Sequence, residues 1–140
     1  MNIAPQADAT SQPFWDAVRA GQFALQHCAA CAQAIHPPGL RCPACRSAEL
    51  AWRPVETGAT VYACTVVRHA ALDAVKSALP YAIVLVTLDA GPRMVLNVID
   101  RAPDDVRVGD RGQVVIHRNA HGIVLPQFQI QDPPPRSPST

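Results

Sequence analysis

Four cysteines, arranged as Cys28-Ala-Ala-Cys31 and Cys42-Pro-Ala-Cys45, are the residues of this chain best suited to chemistry. Two residues between cysteines form a tight knuckle that aims both sulfurs at one centre, and two knuckles complete a tetrahedral sulfur shell. With thiolates at all four positions no coordination site stays open for water, which points to a structural zinc rather than a catalytic one. A rubredoxin-type iron centre uses the same ligand set. Two disulfides are the third option, but they belong to oxidising compartments. His27 and His36 flank the knuckles and could replace a thiol, although four cysteines already fill the shell.

The remaining nucleophiles and acids form no comparable pattern. Cys64 falls within an apolar run in phase with Tyr62 and Val66, so a buried, inert thiol is expected there. His69, His117 and His121 are scattered at strand ends and read as surface residues. The chain has no Gly-x-Ser-x-Gly elbow, no phosphate-cradling glycine loop and no dinucleotide fingerprint, and its sparse carboxylates make no acid–base pair. The expectation is a protein that is not an enzyme by itself.

Composition narrows the classes further. With 140 residues, the chain suits one compact domain or two very small modules. The net charge of +1 gives no support to nucleic-acid binding, which usually brings a strongly basic surface. The opening residues lack the basic start and apolar run of a signal peptide. The longest apolar stretch, Tyr81 to Leu88, is far too short to span a bilayer. A cytoplasmic protein without membrane contact is expected, in a reducing setting where paired cysteines hold metal.

These ligands need elements to position them. Ser11 and Gln12 read as a helix cap, Pro13 as first-turn residue and Gly21 as the stop, with Phe14, Trp15 and Val18 as an apolar stripe. So short a helix must dock on something. Phe23 to Trp52 reads as a strand, a knuckle, a return strand turning at Pro37-Pro38-Gly39, and a second knuckle. From Gly58 onward five β-branched runs alternate with turns, which suits a small closed barrel such as an OB-fold, with a sandwich as runner-up. Residues 68–79 read as a short helix or a long loop. The fold class is therefore mainly β, an N-terminal helix followed by a rubredoxin-like zinc ribbon and a five-stranded OB-fold barrel. The expected boundaries are 1–21 for leader and helix, 22–53 for the ribbon, 54–130 for the barrel and 131–140 for a disordered proline-rich tail.

These words in this order resemble the family of zinc-ribbon plus OB-fold proteins known as domain-of-unknown-function family thirty-five. The carrying residues are Phe14-Trp15, Arg19-Ala-Gly21, the four cysteines with Pro37-Pro38 between them, and Gly58-Ala-Thr-Val61-Tyr62. Pro80-Tyr81, Asp89-Ala-Gly91-Pro92-Arg93, Val108-Gly109 and Leu125-Pro126-Gln-Phe128 complete the set, which runs over residues 13–129. One departure is that Ala32 and Arg46 stand where the family often has glycine after each knuckle, a place that favours a positive backbone angle.

The resemblance implies a non-catalytic accessory subunit of a thiolase-like enzyme, or of an acyl-CoA hydratase or aldolase, helping to hold CoA or acyl-CoA shared with that partner. On this reading Phe14 and Trp15 face the partner, and Arg41 and Arg46 meet CoA phosphates. The rival reading is a single-stranded nucleic-acid module. It needs stacking platforms, and only Tyr62, Tyr81 and Phe128 fall in the barrel.

Overall fold

The computed structural model describes residues 2–132. Helix α1 spans Gln12–Arg19, with proline in its first turn. Ser11 does not cap it in the expected way. Its hydroxyl turns back to Asp8 Oδ1 at 2.7 Å and accepts from the Asp8 amide at 3.1 Å, closing a small loop before the helix. Gly21 ends the helix as expected, at φ 77°, with the amides of Gly21 and Gln22 donating to the carbonyls of Val18 and Ala17.

Strands β1 (Ala24–Cys28), β2 (Ala34–Ile35) and β3 (Leu50–Pro54) form an antiparallel sheet in the order β2-β1-β3. The segment after the second knuckle, for which the sequence suggested no strand, thus supplies β3, paired with β1 from Ala24↔Pro54 to Cys28↔Leu50. The second sheet takes β4 (Gly58–Val67), β5 (Tyr81–Leu88), β6 (Arg93–Asn97), β7 (Arg111–Arg118) and β8 (Val124–Ile130) in the order β6-β5-β4-β7-β8. It curls into a nearly closed barrel, where Val98 bridges Phe128 and the Ile99 amide donates to the Phe128 carbonyl at 3.2 Å. The undecided segment between β4 and β5 holds one helical turn, α2 (Asp73–Lys76). No helix among the described residues is long and apolar enough to cross a membrane.

The alternation that marked the strands in the sequence is the alternation of burial. Along β5, Ala82, Val84, Val86 and Leu88 point inward while Tyr81, Ile83, Leu85 and Thr87 point outward. The inward residues meet Met94, Leu96, Val114 and Phe128, and the same cluster takes in Phe14, Val18, Phe23 and Leu25. Helix and ribbon base are thus packed into the barrel's own core. A bulge between Val61 and Ala63 breaks the alternation of β4. Beyond it β4 outruns its neighbour, since β7 pairs only with Gly58 to Thr60. Cys64, expected to be buried, is therefore exposed, its sulfur 3.8 Å from the Val106 carbonyl oxygen.

Two glycines record close approaches. A side chain at Gly58 would strike the Asp89 carboxylate, which a bidentate pair to Arg111 at 2.7 and 2.9 Å holds over that strand. A side chain at Gly112 would strike the Gln129 carbonyl and the Phe128 ring. Of residues 131–140, Gln131 donates to the Arg111 carbonyl and Asp132 pairs with Arg101 at 2.7 Å. The proline-rich remainder, 133–140, lies outside the described residues.

The contacts at Gly112 set a stability prediction. Gly112→Ala should cost about 1–3 kcal/mol, because the obstacle includes backbone that cannot step aside. Gly39→Ala, whose nearest obstacle is an ordinary 3.7 Å contact, should change stability by no more than about 0.5 kcal/mol. Urea unfolding of both variants checks the contrast.

Candidate metal centre

The hairpin of β1 and β2 turns at the first knuckle, where the Cys28 amide donates to the Gln33 carbonyl at 3.0 Å and Ala32 donates back to Cys28 at 2.8 Å. The second knuckle repeats the pattern, with Cys42 donating to Ser47 and Arg46 to Cys42 at 2.8 and 2.9 Å. Both turns close through a residue in the left-handed region, Ala32 at φ 63° and Arg46 at φ 67°. These are the two positions where the sequence lacks the glycine that such an angle favours.

What brings the two knuckles together was not visible in the sequence. Gln26 is buried on β1, and its amide clamps Gly39 from both sides, donating to the Gly39 carbonyl at 3.0 Å and accepting from its amide at 2.9 Å. The loop through Pro37 and Pro38 is thereby pinned across β1, and the second knuckle follows from it. Behind the centre, Ala29 donates to the Glu49 carbonyl at 2.8 Å, so β3 backs the first knuckle. The one local signal was the period-2 phase that puts Gln26 on the same face of β1 as the ligand Cys28.

The four sulfurs converge as expected. Cys28 and Cys45 lie 3.5 Å apart, Cys31 and Cys42 3.6 Å, and all four lie within 4.8 Å of one another. A tetrahedron with zinc–sulfur bonds of about 2.3 Å has edges of roughly 3.8 Å, so the set fits a zinc ion with little adjustment. Cys28 and Cys42 are buried, while Cys31 and Cys45 face outward. His27 is not in the cluster, its Nδ1 lying 3.1 Å from the Leu25 carbonyl oxygen. His36 is also outside it, packed on the Phe14 ring at 5.6 Å, and burial lowers its pKa.

The electrostatics of the metal-free thiols divide each knuckle. The Cys31 amide donates to the Cys28 sulfur and lowers its pKa, and the Cys45 amide does the same for Cys42, bringing it to about 7. The Gln33 amide also acts to lower Cys31, but the thiols of Cys42, Cys28 and Cys45 and burial together push it up to about 12. At Cys45 the lowering from the Ser47 amide is likewise outweighed by the Cys28 thiol and burial, and its pKa is raised. Four thiolates so close cannot all ionise without a cation among them.

The other expected site residues are spread out. Phe14 is 5 % exposed and sits in the core. Trp15 packs edge-on against it at 5.0 Å and keeps part of its surface. Arg41 and Arg46 are both exposed beside the second knuckle, and Arg41 donates to the Arg46 carbonyl at 3.1 Å. Among the barrel aromatics, Phe128 is wholly buried. Tyr62, which looked like part of an apolar run, is instead exposed at the bulge, with the Arg93 guanidinium 3.6 Å from its ring centre.

Two family profiles meet end to end on this chain. The one described as "ChsH2, rubredoxin-like zinc ribbon domain" matches residues 15–51, and "ChsH2, C-terminal OB-fold domain" matches residues 52–117. A chain of the solved structure titled "Ltp2-ChsH2(DUF35) aldolase" superposes with a TM-score of 0.80 at 28 % identity, over 90 % of this chain and 98 % of that one. This chain belongs to the DUF35 family. A DUF35 protein of unknown function from Sulfolobus solfataricus shares the fold, with a TM-score of 0.62 at 12 % identity over 89 % of this chain and 87 % of that one. A "Probable enoyl-CoA hydratase alpha subunit" of Thermomonospora curvata is 38 % identical over 99 residues. The match covers 69 % of this chain but only 30 % of that relative's length. Zinc is the metal for which the family's ribbon is described, and the four converging thiols of this chain fit it.

Two outcomes follow from the centre. Binding must displace the protons of at least Cys31 and Cys45, so apparent zinc affinity should fall as pH falls, by about a hundredfold or more per pH unit near neutrality. Competition with a chromogenic chelator across pH 6–8 measures that slope. Replacing Ala32 or Arg46 by glycine should stabilise the chain by about 0.5 kcal/mol or more, since the left-handed angle costs an L-residue about 1–2 kcal/mol and glycine's extra unfolded freedom offsets part of it. Thermal melting of the two variants reads the gain.

Proposed function

We propose that this chain is an accessory subunit of an acyl-CoA enzyme of the thiolase, hydratase or aldolase class, contributing to acyl-CoA binding or complex assembly while the reacting groups come from its partner. The observation that supports this most is the end-to-end likeness to the DUF35 chain of a structure titled as an aldolase. The relative named as an alpha subunit of an enoyl-CoA hydratase points the same way. A four-thiolate shell adds chemical support, because a metal so enclosed has no position left for substrate or water. The ribbon then serves as a brace that fixes α1 against the barrel. Four cysteines gathered to hold a metal suit a reducing setting such as the cytoplasm.

The nucleic-acid reading finds less support. Two of the three aromatics it needed are taken, Phe128 by the core and the ring of Tyr62 by Arg93.

Capture on the tagged, zinc-loaded chain from the native lysate, with partners identified by mass spectrometry, should recover an acyl-CoA enzyme of one of these classes in stoichiometric amount. Recovery of nucleic acid alone, or of no such enzyme, would overturn the proposal.

A further inference from the structure

The four thiols of the metal centre are not equivalent. Cys28 and Cys42 are buried, whereas Cys31 and Cys45 are exposed, so each knuckle offers one covered and one accessible sulfur. The two sulfur–sulfur hydrogen-bond contacts among the described residues run between the knuckles, Cys28 to Cys45 at 3.5 Å and Cys31 to Cys42 at 3.6 Å. Each contact therefore joins an accessible thiol of one knuckle to a covered thiol of the other. The fifth cysteine, Cys64, sits on β4 and outside this cluster.

The backbone holds all four sulfurs. Cys28 accepts from the Cys31 amide and Cys42 from the Cys45 amide, while Cys31 and Cys45 accept from the amides of Gln33 and Ser47. The Gln26 clamp on Gly39 keeps the second knuckle against the first. Around the sulfurs the ribbon has little other core, with Ile35 buried beside Cys28 and Cys42 and Leu50 packed on them. So small a sheet needs a staple, and a metal or a disulfide serves equally well.

We propose that the ribbon carries a redox switch in which hydrogen peroxide exchanges its zinc staple for two disulfides across the knuckles, Cys28–Cys45 and Cys31–Cys42, releasing the metal while the ribbon keeps its form. The thiolate of an exposed cysteine, Cys31 or Cys45, attacks the peroxide first. A sulfur–oxygen bond forms, the oxygen–oxygen bond breaks and hydroxide leaves, giving a sulfenic acid. The covered thiolate of the other knuckle then attacks that sulfur, forming the disulfide and expelling a second hydroxide. Each disulfide thus takes two electrons from two thiols and reduces one peroxide to two waters, with protons drawn from solvent. Zinc stays divalent and leaves as its ligands are consumed. The sulfurs must close from 3.5 or 3.6 Å to about 2.05 Å, a short movement for side chains already in contact. A bond within one knuckle would close only a four-residue loop and leave the two knuckles unjoined. The inference stands on the ribbon alone and not on the subunit reading.

Peroxide titration of the zinc-loaded chain tests it, with Cys64→Ser introduced because that exposed thiol can cross-link chains. Trypsin reads the pairing, since cleavage after Arg41 and Arg46 leaves Cys28 and Cys31 in residues 20–41 and Cys42 and Cys45 in residues 42–46. Digested without reduction, with remaining thiols alkylated, the oxidised chain should yield these two peptides joined. At one equivalent of peroxide the bond formed should be Cys28–Cys45 or Cys31–Cys42 in the fragment spectra. Zinc release to a chromogenic indicator should rise in step with the disulfides, and dithiothreitol with zinc should reverse both. The fully oxidised chain should melt within about 5 °C of the zinc-loaded one. Separate peptides with internal disulfides would overturn the switch, as would first bonds of Cys28–Cys42 or Cys31–Cys45. Sulfinic or sulfonic acids at Cys31 and Cys45, or zinc retained under a large excess of peroxide, would also contradict it. So would an oxidised chain that melts as low as the reduced, chelated one.

Discussion

Four thiols held 3.5 to 4.8 Å apart are an unfavourable arrangement until a cation sits among them, and the ribbon is organised around that constraint. Each knuckle must turn the chain within four residues, and each does so through a left-handed residue that is not glycine. Beyond the knuckles the ribbon offers only a small apolar cluster, in which Ile35 joins Cys28 and Cys42 with Leu50 packed against them. A three-stranded sheet with so little core needs a staple. The metal supplies it, and the two buried ligands are themselves part of that cluster.

The other end of the ribbon has a different support. Phe23 and Leu25 at the start of β1 enter the same core as Phe14 and Val18 from α1 and Phe128 from β8. The sheet is thus fixed by metal at its tip and by the barrel at its base. His36 carries the connection outward, since it follows Ile35 in the chain and packs on the ring of Phe14. This continuity links the four-cysteine centre, through the ribbon, to α1 at the barrel's end. A lone ribbon and a lone barrel would have no such fixed angle between them.

The parts of this arrangement that were legible in the sequence are the local ones. Cysteine spacing determines a knuckle over four residues, and β-branched alternation determines a strand over eight. The strained knuckle residues were legible as well, from Ala32 and Arg46 standing where glycine is favoured. What was not legible depends on segments far apart in the chain. Gln26 looks like an ordinary strand residue until Gly39 arrives opposite it. Gly58 reads as the opening of a strand and Asp89 as part of a distant turn, and only the fold shows that the Asp89–Arg111 pair lies over Gly58 and excludes a side chain there. Cys64 was misplaced for a related reason. A one-residue bulge and an unmatched strand length, neither of which alters local pattern, decide its exposure.

The most direct test of the central claim is to determine the metal content of the purified chain by elemental analysis and then to melt it with and without a strong zinc chelator. One zinc per chain and a fall in melting temperature of more than about 10 °C on chelation are predicted, because losing even a few kcal/mol of binding energy moves a domain of this size by that much. A chain that purifies without metal, or that melts at the same temperature after its zinc is removed, would contradict the account.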